Sequence, residues 1–114
     1  KELDITDVRQ IVKNNLRPQR NVSVKDLVER VARYYDIEDA VIYEKTRKKE
    51  VVKPRQVIMY LMRQDFGVSF PSIGQKLGGR DHTTVIHSCE KVKKDLTDNP
   101  TLRREIEEIR AMLK

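Results

Sequence analysis

The sequence predicts an all-α domain of six or seven helices that contains a helix-turn-helix unit. Apolar residues recur at helical spacing in several separate stretches, and no stretch alternates as a β-strand does. Two adjacent glycines, Gly78 and Gly79, separate a short helical stretch from a longer one. Glycine enters left-handed backbone geometry at little cost, so this pair predicts a tight turn between two helices.

Composition limits the chain to one modest domain. The chain has 114 residues, which is too few for two ordinary domains. Of these residues, 38% are hydrophobic and 37% are charged. The net charge of +6 favours a polyanionic partner, although many other proteins share such a balance. The single cysteine, Cys89, lies on an apolar stripe and is expected to be a core residue in a reducing compartment. Without an apolar run of about 18 residues or a signal peptide, we expect a cytoplasmic location and no membrane contact.

Residues 1–20 have two interpretations. Apolar residues from Leu3 to Leu16 predict an amphipathic helix that ends before Pro18. This helix is either a linker from a preceding region or the first helix of the domain itself. Because the chain starts at Lys1 and not at a methionine, we expect it to be an excised fragment.

The domain proper is predicted to span residues 21–114. Ser23 is a capping signal for a first helix, and a short helix closes at Val41 to Tyr43. Residues 44–55 carry six basic residues against two glutamates and show no helical stripe, so they are predicted to form a loop. Pro54 is placed in the first turn of the next helix. The residues predicted to be buried in that helix are Val57, Ile58, Leu61 and Met62.

The helix-turn-helix unit follows. Ser69 is expected to cap its first helix and Asp81 its second, and Asn99 is followed by a last helix. The side chains of these helices expected in the core are Ile73, Leu77, Val85, Cys89, Val92, Leu102, Ile106, Ile109 and Leu113. In such a unit the N-terminal end of the second helix enters the DNA major groove.

Four motifs occur in a distinctive order. They are K-P-R-Q (Lys53 to Gln56), Y-L-M-R (Tyr60 to Arg63), S-F-P-S-I-G (Ser69 to Gly74) and G-G-R-D-H-T-T-V-I-H (Gly78 to His87). From about Val22 to Leu113, the chain closely resembles the C-terminal DNA-binding domain, domain IV, of the DnaA family of bacterial chromosomal replication initiators. The resemblance implies a Trp-repressor-like fold. It also assigns residues 1–20 to a linker helix at the end of the ATPase region.

The resemblance implies a set of DNA contacts. It assigns base contacts to Asp81, His82 and Thr83 in the major groove and to Arg47 in the adjacent minor groove. The residues expected to contact phosphate or backbone are Lys45, Lys49, Arg55, Gln56, Arg63, Arg80, Thr84, His87 and Lys91. By helical angle, His82 is either a base-contacting residue or a histidine at the edge of the core. Asp81 has a second role as helix cap.

The resulting functional hypothesis is sequence-specific binding of duplex DNA at a DnaA box, a nonamer similar to TTATNCACA, at a replication origin. One domain would bind each box as a monomer, at the nucleoid, and regulatory proteins are further expected partners. A protein-interaction module whose basic loop docks an acidic partner is the first alternative. An enzyme is the second, but the two histidines lie on different helix faces and the chain has no G-x-x-x-x-G-K-[ST] loop. No cofactor is therefore expected in this chain, and by resemblance ATP and Mg²⁺ would bind elsewhere in the full-length protein.

Overall fold

A computed structural model of the chain describes residues 23–113. These residues form five α-helices and one 3-10 helix, and none of them lies in a β-strand. The elements are α1 (Val24–Tyr34), the 3-10 helix (Asp39–Tyr43), α2 (Lys49–Gln64), α3 (Phe70–Lys76), α4 (His82–Asp98) and α5 (Pro100–Met112). The all-α prediction is confirmed for these residues, whose five α-helices are slightly fewer than the six or seven helices predicted for the whole chain. The helix predicted in residues 3–16 and the boundary predicted between residues 20 and 21 lie outside the described residues.

Local side chains define where four of the helices begin, among them α1, α3 and α5. The Ser23 side chain accepts a hydrogen bond from the Asp26 N–H (3.1 Å), and the Asp26 carboxylate accepts one from the Ser23 N–H (3.3 Å). This reciprocal pair is the capping box that the sequence indicates for α1. Ser69 and Asn99 cap α3 and α5 with their side chains, each just ahead of a proline.

The start of α2 differs from the prediction. The sequence pattern places a loop up to Arg55, whereas α2 begins at Lys49 and contains Pro54 beyond its first turn. The Lys48 carbonyl accepts hydrogen bonds from two successive residues of this early turn, at 2.9 and 2.8 Å. The free N–H groups at the helix N-terminus therefore lie near Lys49 and not near Arg55 and Gln56, where a helix with Pro54 in its first turn would place them.

This early start is explained by a buried stripe that is not uniformly apolar. Val51, Pro54, Arg55 and Ile58 are all buried and recur at helical spacing. Two of these four residues are an arginine and a proline, which are not among the apolar helix formers that indicate a buried helix face in a sequence. The stripe becomes visible only once Arg55 is known to be buried.

Helix α2 is the centre of the fold. It packs against α1, the 3-10 helix, α3 and α4. The residues predicted to be buried in it, Val57, Ile58, Leu61 and Met62, are at most 1% exposed. Cys89 lies in the same core, where burial raises the pKa of its thiol to about 11. The thiol is therefore protonated at neutral pH, in agreement with a core role.

Polar contacts hold α5 on α1 and α2. Arg110 and Asp65 form a two-pronged ion pair at 2.8 and 2.9 Å, which joins α5 to the end of α2. The Tyr35 hydroxyl donates to the Glu105 carboxylate at 2.9 Å, which joins α5 to the end of α1. Helix α5 thus stabilises the side of the core formed by α1 and α2.

Asp36 gives a first testable prediction, because its φ of +62° lies in the left-handed region just after α1. Glycine adopts this geometry without strain, so Asp36→Gly should stabilise the domain by about 0.5–1 kcal/mol. Asp36→Ala should not stabilise it, because alanine retains a Cβ and therefore keeps the strain of the left-handed geometry. Urea unfolding of the two variants measures the difference, and equal midpoints would contradict the strain at this position.

Candidate nucleic-acid interface

The helix-turn-helix unit is formed by α3, the turn at residues 77–81 and α4. Ile73 and Leu77 are fully buried beneath α4, as their spacing predicts. Gly78 has a φ of +93°, so the turn uses left-handed geometry at the predicted position. The N–H groups of the next two residues, Gly79 and Arg80, both donate to the Gly74 carbonyl, at 2.9 and 2.8 Å. The turn is thereby fixed to the helix that precedes it.

Two very close backbone approaches fix the turn further. A Cβ at Gly74 would lie 2.1 Å from the Arg80 carbonyl oxygen. A Cβ at Gly78 would lie 2.5 Å from the Tyr43 carbonyl oxygen. The turn therefore lies directly against α3 on one side and the end of the 3-10 helix on the other.

Asp81 caps α4, as predicted. Its Oδ1 accepts the Thr83 N–H at 2.9 Å, and the His82 Nδ1 lies 3.6 Å from the same oxygen. The side chains of Asp81 and His82 are 69% and 57% exposed, so capping leaves the Asp81 carboxylate largely accessible. His82 is thus exposed in the first turn of α4 and does not lie at the core edge. Its contact with a base stays a prediction.

An exposed stripe continues along α4 from this first turn. Thr84, His87 and Lys91 recur at spacings of three and four residues and are all exposed. Lys91 pairs with Asp95 at 2.9 Å on the next turn of the same helix. A phosphate would therefore compete with Asp95 for Lys91.

The basic loop, which we define as residues 44–48, joins the 3-10 helix to α2. Lys45 and Arg47 are exposed in it, and Lys49 is exposed in the first turn of α2. The Lys48 N–H donates to the Thr46 hydroxyl at 3.2 Å, which is the local contact that shapes the loop. Since most of the expected loop residues remain accessible, the segment has the charge and exposure that a polyanion requires.

A groove of about 470 Å³ lies between the basic loop, α2 and the start of α4. It is lined by the basic loop, by one side of α2, and by the turn and first turns of α4. The predicted contact residues that line it are Lys45, Arg47, Arg55, Gln56, Arg80, Asp81 and Thr84. Thr46 and Ser88 line it too, and sequence reasoning did not single them out, because neither carries a charge or belongs to a motif. Residues almost 40 positions apart in sequence therefore share one surface.

Arg55 is the one buried residue among the predicted contacts. Only 7% of it is exposed, and its guanidinium donates to three backbone carbonyls. Burial, followed by the positive charge of Arg80, lowers the pKa of Arg55 from its ordinary value. Three of its five N–H donors therefore already have partners inside the protein. The expected contact between Arg55 and the DNA backbone stays a prediction for the donors that remain.

Arg63 also lies apart from the groove. Its guanidinium carbon is 4.4 Å from the centre of the Phe70 ring, and its Nη1 lies 3.4 Å from the Val68 carbonyl oxygen. Both contacts hold the connection between α2 and α3. Arg63 remains exposed, at the margin of the surface formed by the groove. Its expected phosphate contact stays a prediction.

Two other kinds of feature are absent from residues 23–113. No group of three or more His, Cys, Asp or Glu side chains converges there as metal ligands would. None of the helices in the same range is long and apolar enough to cross a membrane.

Comparison with known proteins agrees with this architecture. Residues 24–92, more than half of the chain, match the family described as the bacterial dnaA protein helix-turn-helix. A crystal structure of a DNA replication initiation factor superposes with a TM-score of 0.72 at 25% sequence identity. The match covers 90% of this chain but only 31% of that one, so the chain spans about a third of the length of this structural relative. This family match, together with the glycine turn between α3 and α4, shows that the chain belongs to the bacterial DnaA helix-turn-helix family.

Proposed function

We propose that this DNA-binding domain recognises a DnaA box, an asymmetric nonamer similar to TTATNCACA, and so supports initiation of chromosomal replication. The groove that unites the basic loop with the first turn of α4 is the observation that carries the proposal. A helix N-terminus and a basic loop on one surface match the two adjacent grooves of a DNA duplex. One domain would bind one box, in the cytoplasm at the nucleoid.

The first turn of α4 supplies base readout in this proposal. Asp81, His82 and Thr83 are exposed side by side at the start of the helix. A carboxylate accepts hydrogen bonds from cytosine or adenine amino groups, and threonine offers a hydroxyl together with a methyl group for thymine. The remaining oxygen of Asp81 is available for such a contact while the other caps the helix.

The basic loop supplies minor-groove and phosphate contacts. Arg47 is exposed two residues before the start of α2 and would enter the minor groove, where narrow A·T tracts attract cations. The residues that we propose for phosphate contacts are Lys45, Lys49, Gln56, Arg80, Thr84, His87 and Lys91, with Arg63 at the margin. These contacts set orientation and register and leave sequence readout to α4.

Two further properties, nucleotide binding and the docking of regulatory proteins, are proposed only from the family resemblance. The chain covers a minor part of the structure that it matches, so ATP and Mg²⁺ binding are proposed only for a longer protein. Regulatory proteins that dock on this domain are likewise proposed on the family resemblance alone.

Fluorescence anisotropy tests the proposed function. A labelled duplex with one DnaA box should bind about tenfold or more tightly than a scrambled duplex of equal length. If roughly six phosphates are neutralised, the logarithm of the binding constant should fall with the logarithm of salt concentration at a slope of about −5. Equal and salt-sensitive binding to both duplexes would refute base readout and favour a basic protein-interaction module.

A further inference from the structure

Two arginines from different elements converge on the same backbone carbonyls. Arg55, on α2, donates through Nε to the Ile42 carbonyl (3.1 Å) and through Nη2 to the Glu44 carbonyl (2.7 Å). Arg80, in the turn of the helix-turn-helix, donates through Nη2 to the same two carbonyls, at 3.2 Å for Ile42. Arg55 also reaches the Thr46 carbonyl through Nη1 at 3.1 Å. Three alternate carbonyls of one segment are therefore held by two guanidinium groups.

The position of these carbonyls explains why arginine is needed. Ile42 and Glu44 lie at the end of the 3-10 helix, where carbonyl groups have no partner within the helix. Arginine presents five N–H donors in a rigid planar fork, so one side chain binds three carbonyls at once. A lysine in the same place would keep the charge and lose this geometry.

The segment held in this way leads directly into the exposed part of the basic loop. The Thr46 carbonyl, bound by Arg55, immediately precedes Arg47. On its other side, the end of the 3-10 helix touches the turn, where Gly78 approaches the Tyr43 carbonyl. The basic loop is thus held between α2 and the turn that precedes α4.

We propose that Arg55 and Arg80 are positioning residues that fix the basic loop at a set distance from the first turn of α4. The inference rests on the proposed DNA binding and deepens it. These hydrogen bonds from Arg55 and Arg80, which we call the clamp, fix how far Arg47 lies from His82 and Thr83. They therefore determine which bases of the site the loop and the first turn of α4 read together. In this role, Arg55 and Arg80 act on DNA through the loop, with the donors that hold these carbonyls. A loop fixed before binding also loses less conformational entropy when DNA orders it.

A double-mutant cycle between Arg55 and Arg47 tests the proposal. Arg55→Lys keeps the positive charge, so a phosphate contact would largely survive it, whereas the three-carbonyl fork is lost. We expect Arg55→Lys to weaken binding to the box duplex about tenfold in the native background and less than about twofold when Arg47→Ala is already present. An equal loss in both backgrounds, or no loss in the native one, overturns the proposal.

Two controls accompany the cycle. Arg104→Lys changes an exposed arginine on α5, which contributes no residue to the groove, and should leave affinity unchanged. Circular dichroism melting of each variant establishes that binding is compared between folded proteins. If Arg55→Lys does not fold, Arg80→Lys enters the same cycle, with the same expected coupling to Arg47.

Hydrogen exchange in the free protein separates this inference from the proposed function. Arg55→Lys should accelerate exchange of the backbone amides of residues 45–48 severalfold and leave those in the middle of α4 unchanged. This result would support the clamp even if the native domain failed to prefer the box duplex, in which case only the DnaA-box assignment would fall. Unchanged exchange in residues 45–48 overturns the clamp.

Discussion

Gly74→Ala is expected to destabilise the domain by about 3 kcal/mol, more than any other single substitution proposed for its stability. The new Cβ would lie 2.1 Å from the Arg80 carbonyl oxygen and 3.1 Å from the carbonyl carbon. Both are backbone atoms of the turn, so no side chain can rotate away to relieve the clash. The turn would have to move, and the hydrogen bonds from Gly79 and Arg80 to the Gly74 carbonyl would weaken with it. Urea unfolding measures the loss.

Two control substitutions isolate the clash. Gly67→Ala adds a Cβ with no atom within 4 Å at a φ of +67°, so it carries backbone strain alone and should cost about 1 kcal/mol. Gln75→Ala changes an exposed neighbour of Gly74 on the same helix and should alter stability by less than about 0.5 kcal/mol. If Gly74→Ala cost no more than Gly67→Ala, the close packing of the turn against α3 would be disproved.

Thr83→Ala is expected to weaken binding to the DnaA-box duplex by about 1–3 kcal/mol and to leave binding to a scrambled duplex nearly unchanged. Its side chain is exposed, and the capping bond to Asp81 uses its backbone N–H, which alanine retains. Alanine is also the better helix former, so stability should not fall. A loss of affinity would therefore report the missing hydroxyl and methyl at the DNA, and not a damaged fold.

The chain offers a matched control for Thr83. Thr101 is also an exposed threonine at the second residue of a helix, in this case α5, which lies outside the groove. Thr101→Ala should leave the affinity for both duplexes as it is. Full-strength binding of Thr83→Ala to the box would remove Thr83 from the base-reading set and move attention to His82.

Much of the fold could be predicted from sequence because its determinants are local. The caps Ser23, Ser69, Asp81 and Asn99 each bond a backbone N–H two or three residues away. Such contacts are decided by residue type and spacing, which the sequence displays directly. The buried stripes of α4 and α5 are equally local, since helical periodicity alone determines which side of the helix is apolar.

The start of α2 could not be predicted because its determinant is distant. Arg55 is buried only because carbonyls 9 to 13 residues earlier in the chain accept its donors. Without those partners, an arginine in a basic run is expected to be exposed to solvent. Its burial completes the stripe that allows the helix to begin at Lys49, so a local property depends on a tertiary contact.

The candidate site divides in the same way. The sequence by itself determined the helix-turn-helix, the start of its second helix after the cap Asp81, and the presence of a basic segment, because motif, capping and charge are properties of neighbouring residues. Only the tertiary structure decided that His82 faces solvent, that Arg55 faces inward, and that the basic loop and α4 share one groove. Those features depend on how the end of the 3-10 helix packs between α2 and the turn, and this packing joins residues far apart in the chain.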